Sequence, residues 1–241
     1  MQRGFKEPGD KPRRFYKVVE TAPAEGGFAV LLDGRPVRTP GGARLLLPTA
    51  AVAAQVAGEW SGQGPRLEMG AMHATRLANT AIDAIPAARE ATAQSVADFA
   101  ATDLVCYRAE APQALVRRQA EHWDPLLERA RAEEGLVFVR AAGIVHEAQP
   151  DETLARIRDL ALAQDDFRLA GLAFGAALFG SAVLAVAALR GWTSAEAAFD
   201  LSRLDEAWQE DQWGVDEEAA QRTARLRIEA RMLGRWFEGL G

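Results

Sequence analysis

Leu169–Leu189 reads LAGLAFGAALFGSAVLAVAAL, 21 residues without a charge. That length meets the requirement of about 20 apolar residues for a helix crossing a bilayer. Its five Leu, two Phe and two Val each contribute roughly −0.3 to −0.6 kcal/mol to insertion at a helix centre, so the composition permits spanning. The other twelve residues are eight Ala, three Gly and one Ser, a mixture that lets helix backbones approach closely in any packed interior. Gly171, Gly175 and Gly180 each cost about 1 kcal/mol in helix propensity against Ala, and Gly180-Ser181 is a natural place for a kink or break. Arg168 and Arg190 bracket the run, Asp165-Asp166 precede it, and no cation excess marks either flank as cytoplasmic. The stretch is therefore read as the buried core of a soluble domain, as one kinked helix or two shorter ones. A single membrane span through 169–189 is the alternative.

Upstream, the hydrophobic period changes. Residues 14–48 carry the alternating runs RFYKVVET and GGFAVLLD around a turn-rich TAPAEGG, and these read as strands. Asp33-Gly34 is a hairpin signal. PVRTP and Leu45–Leu47 add short extended pieces, and Thr49 offers an N-cap to a helix whose Val52, Val56 and Trp60 share one side. Trp60 is assigned to the core on that spacing. The Gly-rich pieces at 26–28 and 39–43 lie between strands, so they are turns and match no nucleotide-binding fingerprint.

From residue 71 onward the pattern is helical. A helix is expected from Thr75 until Pro86 ends it, with Arg76, Asn79 and Asp83 on its polar side, and a second over Ala93–Arg108. Pro112 opens a third, with Asp124-Pro125 as an interruption, and Asp151 caps a fourth through Leu162. LVFVRAAGIVHEAQP supplies a short strand or link between helix groups. Asp216, Glu217 and Glu218 open the last helix favourably for its dipole, and it runs to about Phe237. The expected class is α+β: a mobile arm over 1–13, a small β-rich N-terminal domain with one helix over 14–70, and a larger all-helical domain over 71–241.

The composition excludes several functions. With 28 Lys and Arg against 34 Asp and Glu, the net charge of −6 provides no global field for phosphate backbones, so no nucleic-acid partner is expected. Cys106 is the single cysteine, which fits a reducing compartment. His73, His122 and His146 have no ligand spacing, so no metal and no cofactor are expected. The N-terminal residues lack the apolar stretch of a secretory signal and the acid-free amphipathic pattern of a presequence, so a bacterial cytoplasmic location is expected. Asp103, placed among Phe99, Cys106 and Tyr107 by helical spacing, is read as structural, ion-paired to Arg76 or Arg108. The rival reading is a general acid with a raised pKa, which would make the chain a small-molecule enzyme using Asp103 or Glu206.

Leu204–Gln221, LDEAWQEDQWGVDEEAAQ, holds seven carboxylates and two tryptophans with no Lys, Arg or His. Acids alone make a solvated face, but the tryptophans add rigid apolar area of the kind that dominates interfaces. Leu201, Leu204 and Trp208 follow one inward helical face, and Glu206, Glu210 and Trp213 share another. The uncompensated acids point to a cationic partner.

Five stretches together, FAVLLDGRPVRTP at 28–40, GEWSGQG at 58–64, MHATRLANTAID at 72–83, ATDLVCYRAE at 101–110 and SRLDEAWQEDQWGVDEEA at 202–219, resemble the α-proteobacterial form of the ATP synthase assembly chaperones of the Atp-twelve type. The resemblance implies a non-enzymatic chaperone, monomeric when free. It would hold the unassembled α subunit of the catalytic headpiece until the β subunit replaces it. The family's acidic motif falls on Asp205, Glu206, Trp208, Gln209, Trp213 and Gly214. Asp205, Glu206, Gln209, Glu210, Trp213 and Gly214 are therefore the first candidates for partner contact, and Arg76, Asn79 and Asp83 the second. Trp60, Asp103 and Trp208 are assigned to the structural core.

Overall fold

The computed structural model describes residues 11–143 and 147–241. Four strands come first: β1 (Val19–Ala24), β2 (Gly27–Leu32), β3 (Arg35–Pro36) and β4 (Leu46–Leu47). All pairings are antiparallel, with β1 on one side of β2 and both β3 and β4 on the other. Asp33 and Gly34, at φ 48° and 75°, form the two-residue turn between β2 and β3, since positive φ at both positions matches strand twist. The Asp33 carboxylate also accepts the N–H groups of Lys17 and Val18 at 3.0 and 2.8 Å. The turn-rich stretch before β2 is shorter than expected. Thr21–Ala24 belong to β1, and only Glu25 and Gly26 turn.

Helix α1 (Ala50–Ser61) starts where expected, with Thr49 Oγ1 accepting the Val52 N–H at 3.1 Å. It is followed by α2 (His73–Asp83) and α3 (Ile85–Ala101). Pro86 does not end a helix but sits in the first turn of α3, where its missing N–H has no partner to lose. The expected helix over 93–108 stops at Ala101. Leu104–Cys106 form a 3-10 turn, and β5 (Tyr107–Arg108) pairs in parallel with β6 (Ala141–Ala142). The region after residue 70 is thus not all helical. Helix α4 (Gln113–Glu134) runs through Pro125 without interruption, because Pro125 and the Glu121 turn behind it face solvent. Helix α5 is Asp151–Leu162.

The uncharged stretch resolves into two helices, α6 (Asp166–Phe179) and α7 (Ala182–Leu189). Gly180 takes φ 63°, and Ser181 Oγ accepts the Leu184 N–H at 3.0 Å to start α7. Among the described residues no helix is long and apolar enough to cross a membrane. The chain ends in α8 (Ala195–Ser202), α9 (Leu204–Trp213) and α10 (Glu217–Leu240). A Cβ on Gly171 would stand 2.7 Å from Phe237, so the glycine lets α6 approach α10.

The fold class is mixed α and β. Strands β1–β4 precede residue 48, but the sheet-side helix is tied to the far end of the chain. Thr49 Oγ1 donates to the Gly239 carbonyl at 2.6 Å, and Gln55 Nε2 to the Met232 carbonyl at 2.9 Å. One buried core runs from Tyr16 to Leu240. Of the expected N-terminal arm, residues 1–10 lie outside the described residues. Lys11–Arg13 run beside Arg66–Glu68, with the Leu67 N–H on the Pro12 carbonyl at 2.8 Å and Lys11 paired to Glu68 at 2.6 Å.

Candidate functional site

Asp103 has no ion-pair partner of the kind expected. Its carboxylate is fully buried and accepts the Val105 N–H at 3.2 Å and the Val183 N–H at 3.0 Å. The Ser181 hydroxyl and the Ala182 N–H add to the set, so the group caps α7 from another part of the chain. Burial pushes its pKa up to about 6, against the pull of these four donors. Neither Arg76 nor Arg108 serves it; Arg108 pairs with Asp124 at 2.7 Å. Burial, then the neighbouring Asp103, push the Cys106 thiol up, which removes the thiolate a nucleophile needs. Among the described residues no three His, Cys, Asp or Glu side chains converge on a metal site. His146 lies outside them.

The acidic segment forms α9, a tight turn at Gly214 (φ 90°) and the start of α10. Trp213 is 80% exposed, Val215 64% and Ile228 54%, so large apolar side chains of α9, the turn after it and α10 stand in solvent. Its acids are less alone than the sequence suggests. Arg118 of α4 reaches Asp211 at 3.2 Å, and Arg203 approaches Glu206 and Glu210 at 3.6 and 3.8 Å. Asp216 caps α10 through the Ala219 N–H at 2.8 Å. Asp205 faces inward and accepts from Gln119 Nε2 at 2.7 Å. Gln209 is exposed, whereas Trp208 is half-buried against the core. Between α9 and α10 lies a groove of about 300 Å³, lined by Glu210, Ala224, Arg227 and Ile228 among others.

The second candidate group divides. Asp83 accepts from Thr39 Oγ1 at 2.6 Å and the Gly41 N–H at 2.8 Å, fastening the loop after β3 to α2. The half-buried Asn79 leaves its Oδ1 without a partner among the described residues. Arg76 is exposed, and among the described residues its guanidinium hydrogen-bonds only to the Gly70 carbonyl, at 3.4 Å. Trp60 is buried edge-on against Tyr16, with ring centroids 5.7 Å apart. Sequence reasoning missed Gln119 and the cations Arg118 and Arg203, which come from outside the acidic stretch.

The whole arrangement has a solved counterpart. The chain superposes on the crystal structure of Atp12 from Paracoccus denitrificans with a TM-score of 0.87 and 40% identity, covering 94% of this chain and 97% of that one. The chain belongs to the Atp12 chaperone family. The family model described as ATP12 chaperone protein matches residues 13–131, spanning the sheet through most of α4 and stopping short of the acidic segment. A variant of the Paracoccus protein carrying an aspartate-to-lysine substitution matches equally well. An Agrobacterium tumefaciens protein solved as a candidate chaperone gives a TM-score of 0.89 at 40% identity, over 95% of this chain and 87% of that one. The mitochondrial protein atp12 of Schizosaccharomyces pombe is 26% identical over 219 residues, 86% of this chain and 75% of that protein.

Proposed function

We propose that this chain is an ATP synthase assembly chaperone that binds the unassembled α subunit of the catalytic headpiece and shields its interface until the β subunit replaces it. A subunit awaiting its neighbour exposes apolar surface that aggregates, and a complementary cover prevents this. The observation that carries the reading is Trp213, 80% exposed close in sequence to the exposed Val215 and to the exposed acids Asp211, Asp216, Glu217 and Glu218. An aromatic anchor with acids around it fits a client surface of mixed apolar and cationic character. The protein acts as a soluble cytoplasmic monomer, without catalysis or cofactor, and its β-rich and helical parts work as one cover. The enzyme reading loses ground because the Asp103 carboxylate is sealed by backbone donors, and Glu206 is an exposed partner of Arg203.

The test is capture. Purified chain is mixed with isolated α subunit, and aggregation is followed by light scattering. Suppression near equal stoichiometry, released by added β subunit, supports the proposal. Aggregation that proceeds unchanged overturns it.

A further inference from the structure

We infer that the groove bounded by α2, α3 and α6 is a second foothold for the client, receiving an aliphatic side chain whose neighbouring carboxylate pairs with Arg76. The inference rests on the chaperone reading proposed above and names the chemistry of one contact within it. Leu77, Ile85 and Ala170 form a buried floor, and Ala84, Ala173 and Phe174 line the more open walls, around a space of about 350 Å³. That is near the bottom of the roughly 300–1,000 Å³ range of ligand pockets, so it suits a large side chain or two.

The rim decides the charge of the occupant. His73 is engaged by Glu229 of α10 at 3.5 Å. Arg76 is exposed on the same rim, and among the described residues no carboxylate lies within ion-pair distance of it. An open guanidinium over an apolar floor is complementary to an acid next to an aliphatic side chain, and its planar fork donates two hydrogen bonds to a carboxylate. Helix α2 is held rigid for this purpose at both ends. Glu59 accepts the Ala74 and Thr75 N–H groups at 2.7 and 2.8 Å, and Asp83 fastens the other end to Thr39. A fixed foothold loses little ordering entropy on binding.

Helix α10 links the rim of this groove to the acidic corner. Glu229, which holds His73, follows Ile228 along α10, and Ile228 lines the α9–α10 groove. A client that reaches across α10 to both would have its orientation fixed by an acid on Arg76 and a cation at the corner.

Arg76→Glu and Thr80→Trp test the foothold. The first reverses the rim charge, and the second places an indole on an exposed groove-lining position of α2. Both should keep the parent's circular dichroism and thermal midpoint while weakening α-subunit capture about tenfold or more, with Arg76→Lys, which keeps the charge but loses the bidentate fork, retaining only part of the affinity. Capture by Arg76→Glu and Thr80→Trp equal to that of the parent overturns the inference and leaves the chaperone reading intact. A parent chain that captures no α subunit overturns the chaperone reading itself. Loss with Thr80→Trp but not Arg76→Glu overturns the acidic character assigned to the occupant.

Discussion

Gln119 of α4 and Asp205 of α9 are joined by a 2.7 Å hydrogen bond, although Gln119 is fully buried and 86 residues away in sequence. The same amide accepts the Ala109 N–H through its Oε1 at 2.9 Å. One side chain therefore satisfies the edge of β5 and sets the position of the acidic helix. Asp205 is committed to holding α9 in place, so under the proposed function partner contact falls to its exposed neighbours.

Asp205→Ala strands the Gln119 amide in the interior, at a cost of about 1–3 kcal/mol. Asp205→Asn keeps an acceptor oxygen and should lose less. Urea denaturation of the two variants checks this order. Equal stability of Asp205→Ala and the parent would show that the bond does not hold the helix.

Trp213→Ala should behave in the opposite way. With the indole 80% exposed, its removal should change stability by no more than about 0.5 kcal/mol, yet weaken α-subunit capture. Glu206→Lys together with Glu210→Lys removes two long contacts to Arg203. Exposed pairs of that kind are worth about 0–1 kcal/mol each, so the fold should remain and capture should fall. Unchanged capture in both proteins would take the acidic corner out of the mechanism. Trp208→Ala, by contrast, should destabilise, since the side chain packs half-buried against the core.

Asp103 gives the fold a pH dependence of known sign. Its carboxyl titrates near 6 in the folded chain against about 3.9 unfolded, so the folded state holds the proton more tightly. Stability contributed by that proton is fully present below about pH 4 and is lost as pH rises through about 6, by roughly 3 kcal/mol in all. Urea midpoints for the parent should therefore fall more steeply between pH 4.5 and 7.5 than those of Asp103→Asn. The comparison uses the slope, because the Asn amide also faces N–H donors and lowers stability at every pH. Parallel profiles would mean that Asp103 is not the titrating group.

Much of this architecture is written locally. The Thr49 cap, the Asp33-Gly34 turn and the break at Gly180-Ser181 depend on residues within a few positions of one another, and all are visible in the sequence. Asp103 was legible as a buried carboxylate in need of partners, but its partners were not. Helical spacing surrounded it with Phe99, Cys106 and Tyr107, whereas the chain leaves the helix at Ala101 and the donors come from Ser181–Val183. No glycine or proline announces that exit; it is fixed by a contact some 80 residues distant. The partial neutralisation of the acidic segment is hidden from the sequence for the same reason, since Arg118 reaches Asp211 from α4. The groove over α2 is likewise assembled from three separate helices, and nothing in the α2 sequence by itself reveals the apolar floor.

Gly171→Ala separates the buried-core role of 169–189 from simple helix propensity. On an isolated helix the change is favourable by about 1 kcal/mol. Here the new methyl would lie 2.7 Å from Phe237 Cε1, closer than carbon atoms tolerate, and 3.1 Å from Trp236 Cδ1, a tight contact. Neither ring has room to retreat. Trp236 is fully buried and its indole N–H is held by the Phe167 carbonyl at 3.1 Å, while Phe237 is also buried. The substitution should therefore destabilise by about 1–3 kcal/mol, the usual cost of forcing atoms into a packed core, and lower the thermal midpoint by several degrees. Alanine at Gly191, whose φ of 66° marks a turn with nothing near its Cβ position, makes a useful contrast, since any loss there reflects backbone strain alone. A Gly171→Ala protein as stable as the parent would mean that α6 and α10 do not approach as closely as the packed core requires.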